Sequence, residues 1–119
     1  YSVGEHASFI YVQMQIAALQ QIIDWSPKAI QEYCKEITTD FVKVLSENGC
    51  KIEDSNARTH HLFGVKIPKK VNKEALKETL SKNNVFVSFR GNYIRVSCHL
   101  FNTSADLKVL SDCILNKIL

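Results

Sequence analysis

Glycine is scarce in this sequence and never clustered. Gly4, Gly49, Gly64 and Gly91 stand singly, so no glycine-rich loop is available to cradle a phosphate. Long apolar runs are missing too. Gln13, Gln15, Gln20 and Gln21 interrupt the most apolar stretch, which leaves nothing long enough to span a bilayer, and no stretch reads as a secretory leader. The cysteines at 34, 50, 98 and 113 form no Cys-x-x-Cys pair. Cys34 and Cys113 fall on apolar helical faces, where a free thiol behaves as a small hydrophobe, so a reducing, cytoplasmic compartment is expected rather than a disulfide framework. A large charge of one sign is also absent. The net charge of +3 comes from scattered lysines, which argues against nucleic acid as a partner. No internal repeat or low-complexity segment interrupts the chain.

What remains is an ordinary globular balance, with 45% hydrophobic and 23% charged residues, so an ordered chain is expected. The 119 residues suit one domain with one core. The sequence opens on Tyr1 rather than Met, and its first residues read as the middle of something longer. From Ala7 to Trp25 the spacing predicts a helix, with Phe9, Val12, Ile16, Leu19 and Ile23 on one stripe. Ile10, Met14, Ala17, Ala18 and Ile22 widen that stripe almost to a full circle, and a helix apolar on most sides needs partners on most sides.

Ser26-Pro27 reads as a helix start, and Asn48-Gly49 as its end. Ile30, Tyr33, Cys34, Ile37, Phe41, Val44 and Leu45 form the apolar stripe between them. Lys51 to Asn56 is a loop or a short edge strand. His61 to Ile67 is a strand that Pro68 stops. Asn72 caps a helix over 73–83, with Val71 and Leu76 as a hydrophobic staple. Val85 to Phe89 is the next strand, joined by a turn at Arg90-Gly91-Asn92 to Tyr93–Ser97. Thr103 to Asp106 has capping-box spacing ahead of a last helix carrying Leu107, Leu110, Ile114 and Ile118. A right-handed crossover makes the first two strands parallel, with the hairpin strand between them antiparallel to both. The expected fold is a two-layer α+β domain, about three mainly antiparallel strands with helices on one face, preceded by a long helix over 1–25.

The most informative stretch is Phe89 to Thr103. In Tyr93–Ser97, Ile94 and Val96 point to the core, while Tyr93, Arg95 and Ser97 point away. Nothing in the fold of a small domain requires an arginine there. A fixed guanidinium binds carboxylate through two parallel hydrogen bonds; the alternative is a solvated surface arginine. His60 and His61, if in a strand, point to opposite faces and cannot share one metal, so no metal site is expected. Cys98-His99 are neighbours without an orienting third group and read as corner packing. Tyr93, Phe86 and Phe89 lack a basic groove in the sequence and read as packing rather than as a base-stacking platform.

The run Arg95-Val96-Ser97-Cys98-His99-Leu100-Phe101-Asn102-Thr103, with Ser104-Ala105-Asp106-Leu107 after it, resembles the C-terminal signature of class V aminotransferase-like enzymes. These are fold type I proteins that use pyridoxal 5′-phosphate. Gly4-Glu5-His6, leading into an Ala-rich helix through Ala17-Ala18-Leu19, is similar to that family's helix linking large to small domain, and His61-Leu62-Phe63-Gly64-Val65 to its first small-domain strand.

The resemblance implies that residues 1–25 are the linking helix and 26–119 the C-terminal small domain of a larger enzyme acting on an amino acid. It implies that Arg95 binds the substrate α-carboxylate. It also implies that Ser8 lies where the family presents a hydroxyl to the cofactor phosphate of the partner subunit, although His6 stands where many members have Arg. Homodimers are usual in the family. The large domain and its Schiff-base lysine are not in this sequence, so no catalytic residue is expected here, and the piece alone is expected neither to hold cofactor nor to turn over. Val87 to Gly91 lacks the cysteine that desulfurase members carry before the arginine. The pattern is closer to the isopenicillin N epimerase-like and general aminotransferase branches. The rival expectation is a non-catalytic α+β module that binds a protein with its bare sheet face.

Overall fold

A computed structural model describes residues 9–119. It has the order α1 (Phe9–Trp25), α2 (Pro27–Glu47), β1 (Lys51–Ile52), β2 (Leu62–Lys66), α3 (Lys73–Lys82), β3 (Ser88–Arg90), β4 (Tyr93–Ser97) and α4 (Ser104–Ile118). The class is α+β. The sheet has four strands, not three, in the order β1-β2-β4-β3. Lys51–Ile52 supplies the extra edge strand, and every neighbouring pair is antiparallel. β2 and β3 therefore run parallel on either side of β4, as the crossover through α3 demands.

Helices α2, α3 and α4 cover one face of the sheet. Phe63 and Val65 of β2 and Ile94 and Val96 of β4 are buried against Cys34, Phe41 and Leu45 of α2, Leu76 and Leu80 of α3, and Leu110 and Ile114 of α4. Burying each of these large apolar side chains contributes about 1.5–3 kcal/mol. Thr38, which the apolar stripe skips, is buried as well; its hydroxyl donates to the Cys34 carbonyl at 2.7 Å, and this satisfies it inside the helix layer.

The helix ends explain where strands can start. At the end of α2, Gly49 takes φ +89°. The Cys50 N–H donates to the Leu45 carbonyl at 3.0 Å, and the Gly49 N–H to the Ser46 carbonyl at 3.3 Å. This is a Schellman closure with a buried Leu45–Cys50 pair behind it. The same device ends α3. Asn84 has φ 56°, and the Val85 N–H is committed to the Leu80 carbonyl at 2.9 Å. Val85 is thereby withheld from the ladder, and β3 begins at Ser88 rather than at Val85. At the start of α4, the Asp106 carboxylate accepts the Thr103 N–H at 2.8 Å, the expected capping-box contact.

α1 is different. It buries no side chain; within it Ile22 alone packs against the core. Phe9, Ile10, Tyr11 and Met14 are each more than 60% exposed, so the partners that its apolar surface calls for are not contributed by the described residues. Among those residues no helix is long and apolar enough to cross a membrane.

Candidate carboxylate-binding face

The helices leave the other face of the sheet open, and the strand registers decide what stands on it. Arg95 of β4 pairs with Gly64 of β2 on one side and with Ser88 of β3 on the other. Cross-strand partners share a face, so all three belong to the open side. Arg95 is exposed, and its Nη2 donates to Ser88 Oγ at 3.4 Å. The side chain is neither turned into the helix layer nor tied to an acid.

Tyr93 lies one step along the same face, between Lys66 and Arg90. Its ring leans over Gly64: a Cβ built at that glycine would sit 3.3 Å from Tyr93 Cδ1. The missing side chain at 64 thus makes room for the ring, and the Lys66 ammonium stands 5.6 Å from its centroid. Lys51 of β1 pairs with Lys66. One row across all four strands therefore reads Lys51, Lys66, Tyr93, Arg90, and the next reads Gly64, Arg95, Ser88.

No strand in the sheet carries an acidic residue on this face. The ion pairs among the described residues, Lys28–Glu32, Lys77–Glu74, Lys82–Glu78 and Lys108–Asp112, all lie on helices. Like charges directly opposite each other, as at Lys51 and Lys66, are destabilising, and among the described residues no carboxylate pairs with either.

Ser88 is the residue that sequence reasoning missed. The Arg95 hydrogen bond goes to this serine on the neighbouring strand, and not to Tyr93 or Ser97, which share its own strand face. The signal was present in the turn. Arg90 pairs with Tyr93 and Gly91 has φ +59°, which makes a two-residue hairpin loop. Counting back from that loop places Ser88 opposite Arg95.

The other candidates sort cleanly. His60 and His61 precede β2 rather than lying in it, and both are half-buried. Gln31 of α2 bridges them, accepting the His60 N–H at 2.9 Å and meeting His61 Nδ1 at 2.6 Å. Burial, together with the nearby Arg58 and Lys35 charges, holds the His60 imidazole below its ordinary pKa. Cys98 is buried. Burial, chiefly, and the adjacent Cys34 thiol push its pKa up to about 12, the opposite of an activated thiol. The His99 ring packs against Trp25 and Phe101 at 6.4 and 6.2 Å. Asn102 shapes the corner: its Oδ1 accepts the His99 N–H at 3.0 Å, and its carbonyl accepts the Tyr33 hydroxyl at 2.8 Å. Among the described residues no group of three or more His, Cys, Asp or Glu side chains is placed to hold a metal ion.

Ser8, together with Gly4, Glu5 and His6, lies outside the described residues. The described residues by themselves do not fit pyridoxal 5′-phosphate: no lysine among them is buried, so none offers the cofactor an amine shielded from water. No family model matches the chain, and no curated protein matches it by sequence.

Proposed function

We propose that this chain is the small C-terminal domain of a pyridoxal-phosphate-dependent, class V aminotransferase-like enzyme acting on an amino acid, and that Arg95 holds the substrate's carboxylate. One observation carries the reading. Arg95 stands on the open face with Gly64, overlain by the Tyr93 ring, on one side and a single hydroxyl, Ser88, on the other, so no acid neutralises it and its fork keeps donors for an incoming carboxylate. The cofactor, as an electron sink for the substrate's α-carbon, would be held by a large domain outside this chain, and the exposed α1 fits a helix running between two such domains. The domain's own contribution is orientation: a carboxylate gripped by two parallel hydrogen bonds fixes which bond at the α-carbon faces the chemistry.

The test is Arg95→Ala in the full-length protein. Loss of a charge-assisted pair of this kind should lower kcat/KM for the amino acid on the order of ten- to a hundredfold, with the bound-cofactor absorbance unchanged. Unaltered turnover at low substrate would remove the assignment. A non-catalytic protein-binding module is the second reading, favoured by the apolar exposure of α1. A cofactor-binding lysine in the polypeptide upstream of Tyr1 separates the two.

A further inference from the structure

The open face holds more positive charge than one carboxylate needs. Arg95 has two cationic diagonal neighbours, Lys66 and Arg90, which flank Tyr93 on the adjoining row. Residues two apart on a strand are separated by about 7 Å, and diagonal cross-strand side chains by about 7–8 Å. Two cationic positions are thus set side by side, with the exposed Tyr93 between them. Neither Lys66 nor Arg90 has a carboxylate within ion-pair distance among the described residues, whereas the paired lysines are all on helices. Lys66 is only half-exposed and is steered over the Tyr93 ring, so its ammonium is held on this face rather than spread into solvent.

We infer that the substrate is an amino acid with an acidic side chain, its α-carboxylate on Arg95 and its second anionic group on Lys66 and Arg90. This rests on Arg95 being the carboxylate-binding group. The Tyr93 ring supplies an apolar floor for the short carbon spacer between the two anions, and Gly64 lets the ring lie low enough to do so. A neutral side chain of the same shape would leave the second position's charges unmatched, which disfavours it.

The experiment compares glutamate with glutamine, and aspartate with asparagine, as substrates of the full-length protein. Each pair has nearly the same shape and differs in charge. The wild type should prefer the acid of at least one pair. Lys66→Gln combined with Arg90→Gln should lower the acid-to-amide ratio of kcat/KM by about tenfold, and raised salt should lower it in the wild type. Equal use of acid and amide by the wild type, or a double variant that leaves the ratio where it was, overturns the inference. Arg95→Gln distinguishes the two levels. If it depresses acid and amide alike while the Lys66 and Arg90 changes leave their ratio untouched, the carboxylate reading stands and the acidic-substrate inference falls. If Arg95→Gln affects neither, both fall.

Discussion

Arg95 and Ser88 face each other across the β3–β4 hairpin, with the guanidinium Nη2 3.4 Å from the serine Oγ. The contact is long and exposed, so its energy is small. Its value lies in direction: it biases the fork along the sheet surface. Ser88→Ala in the full-length protein should therefore raise KM for the amino acid about two- to threefold with kcat little changed. In an Arg95→Ala background the same serine change should do nothing. Additive losses in the double-mutant cycle would show that Ser88 acts by some route other than Arg95.

Gly64 and Tyr93 form the second relationship. The strand backbone at Gly64 has no positive φ, so conformation alone would admit a side chain there; the obstacle is the Tyr93 ring, 3.3 Å from the would-be Cβ. Gly64→Val should destabilise the chain by about 1–3 kcal/mol through crowding, read as a lower urea midpoint. Adding Tyr93→Ala should restore most of the loss, since valine otherwise suits a strand. Without that rescue, the glycine would be serving something other than the ring.

Cys98 gives a dependence on pH. Its thiol titrates near 9.0 when free and at about 12 in the fold, chiefly because it is buried. Between those values the unfolded chain loses this proton and the native chain keeps it, so ν_U is smaller than ν_N and stability falls as pH rises from about 9 to about 12. Urea midpoints should drop between pH 8 and pH 10, and drop less in Cys98→Ala. Alkylation of Cys98 at pH 9 should be slow in the native chain and fast in urea. Rapid native modification would contradict the buried thiol.

Most of the layer that faces inward could be written down from residue order. The 3.6-residue stripe of Ile30 to Leu45, the alternation of Ile94 and Val96, the Asn72 cap and the Gly49 stop are local patterns, and local sterics and hydrophobic periodicity specify them. Departures came where distant backbone groups competed. β3 starts only at Ser88, and the Val85 N–H, three residues earlier, closes α3 on the Leu80 carbonyl rather than joining a ladder. Of the two readings open for Lys51 to Asn56, loop or short edge strand, the free edge of β2 decided for a strand at Lys51–Ile52. Gln31 settles the two histidines from 29 and 30 residues away, a distance at which no spacing rule operates.

The order of residues alone determined the class of the fold, its turns and caps, and that a guanidinium would stand at 95 on the side away from the core. It could do so because strand alternation and helix termination are short-range properties of the backbone. Tertiary structure decided what that guanidinium has for company. The register of the strands, an outcome of packing Phe63, Val65, Ile94 and Val96 against the helices, put a glycine and a serine beside Arg95 and drew Lys66 and Arg90 to either side of Tyr93.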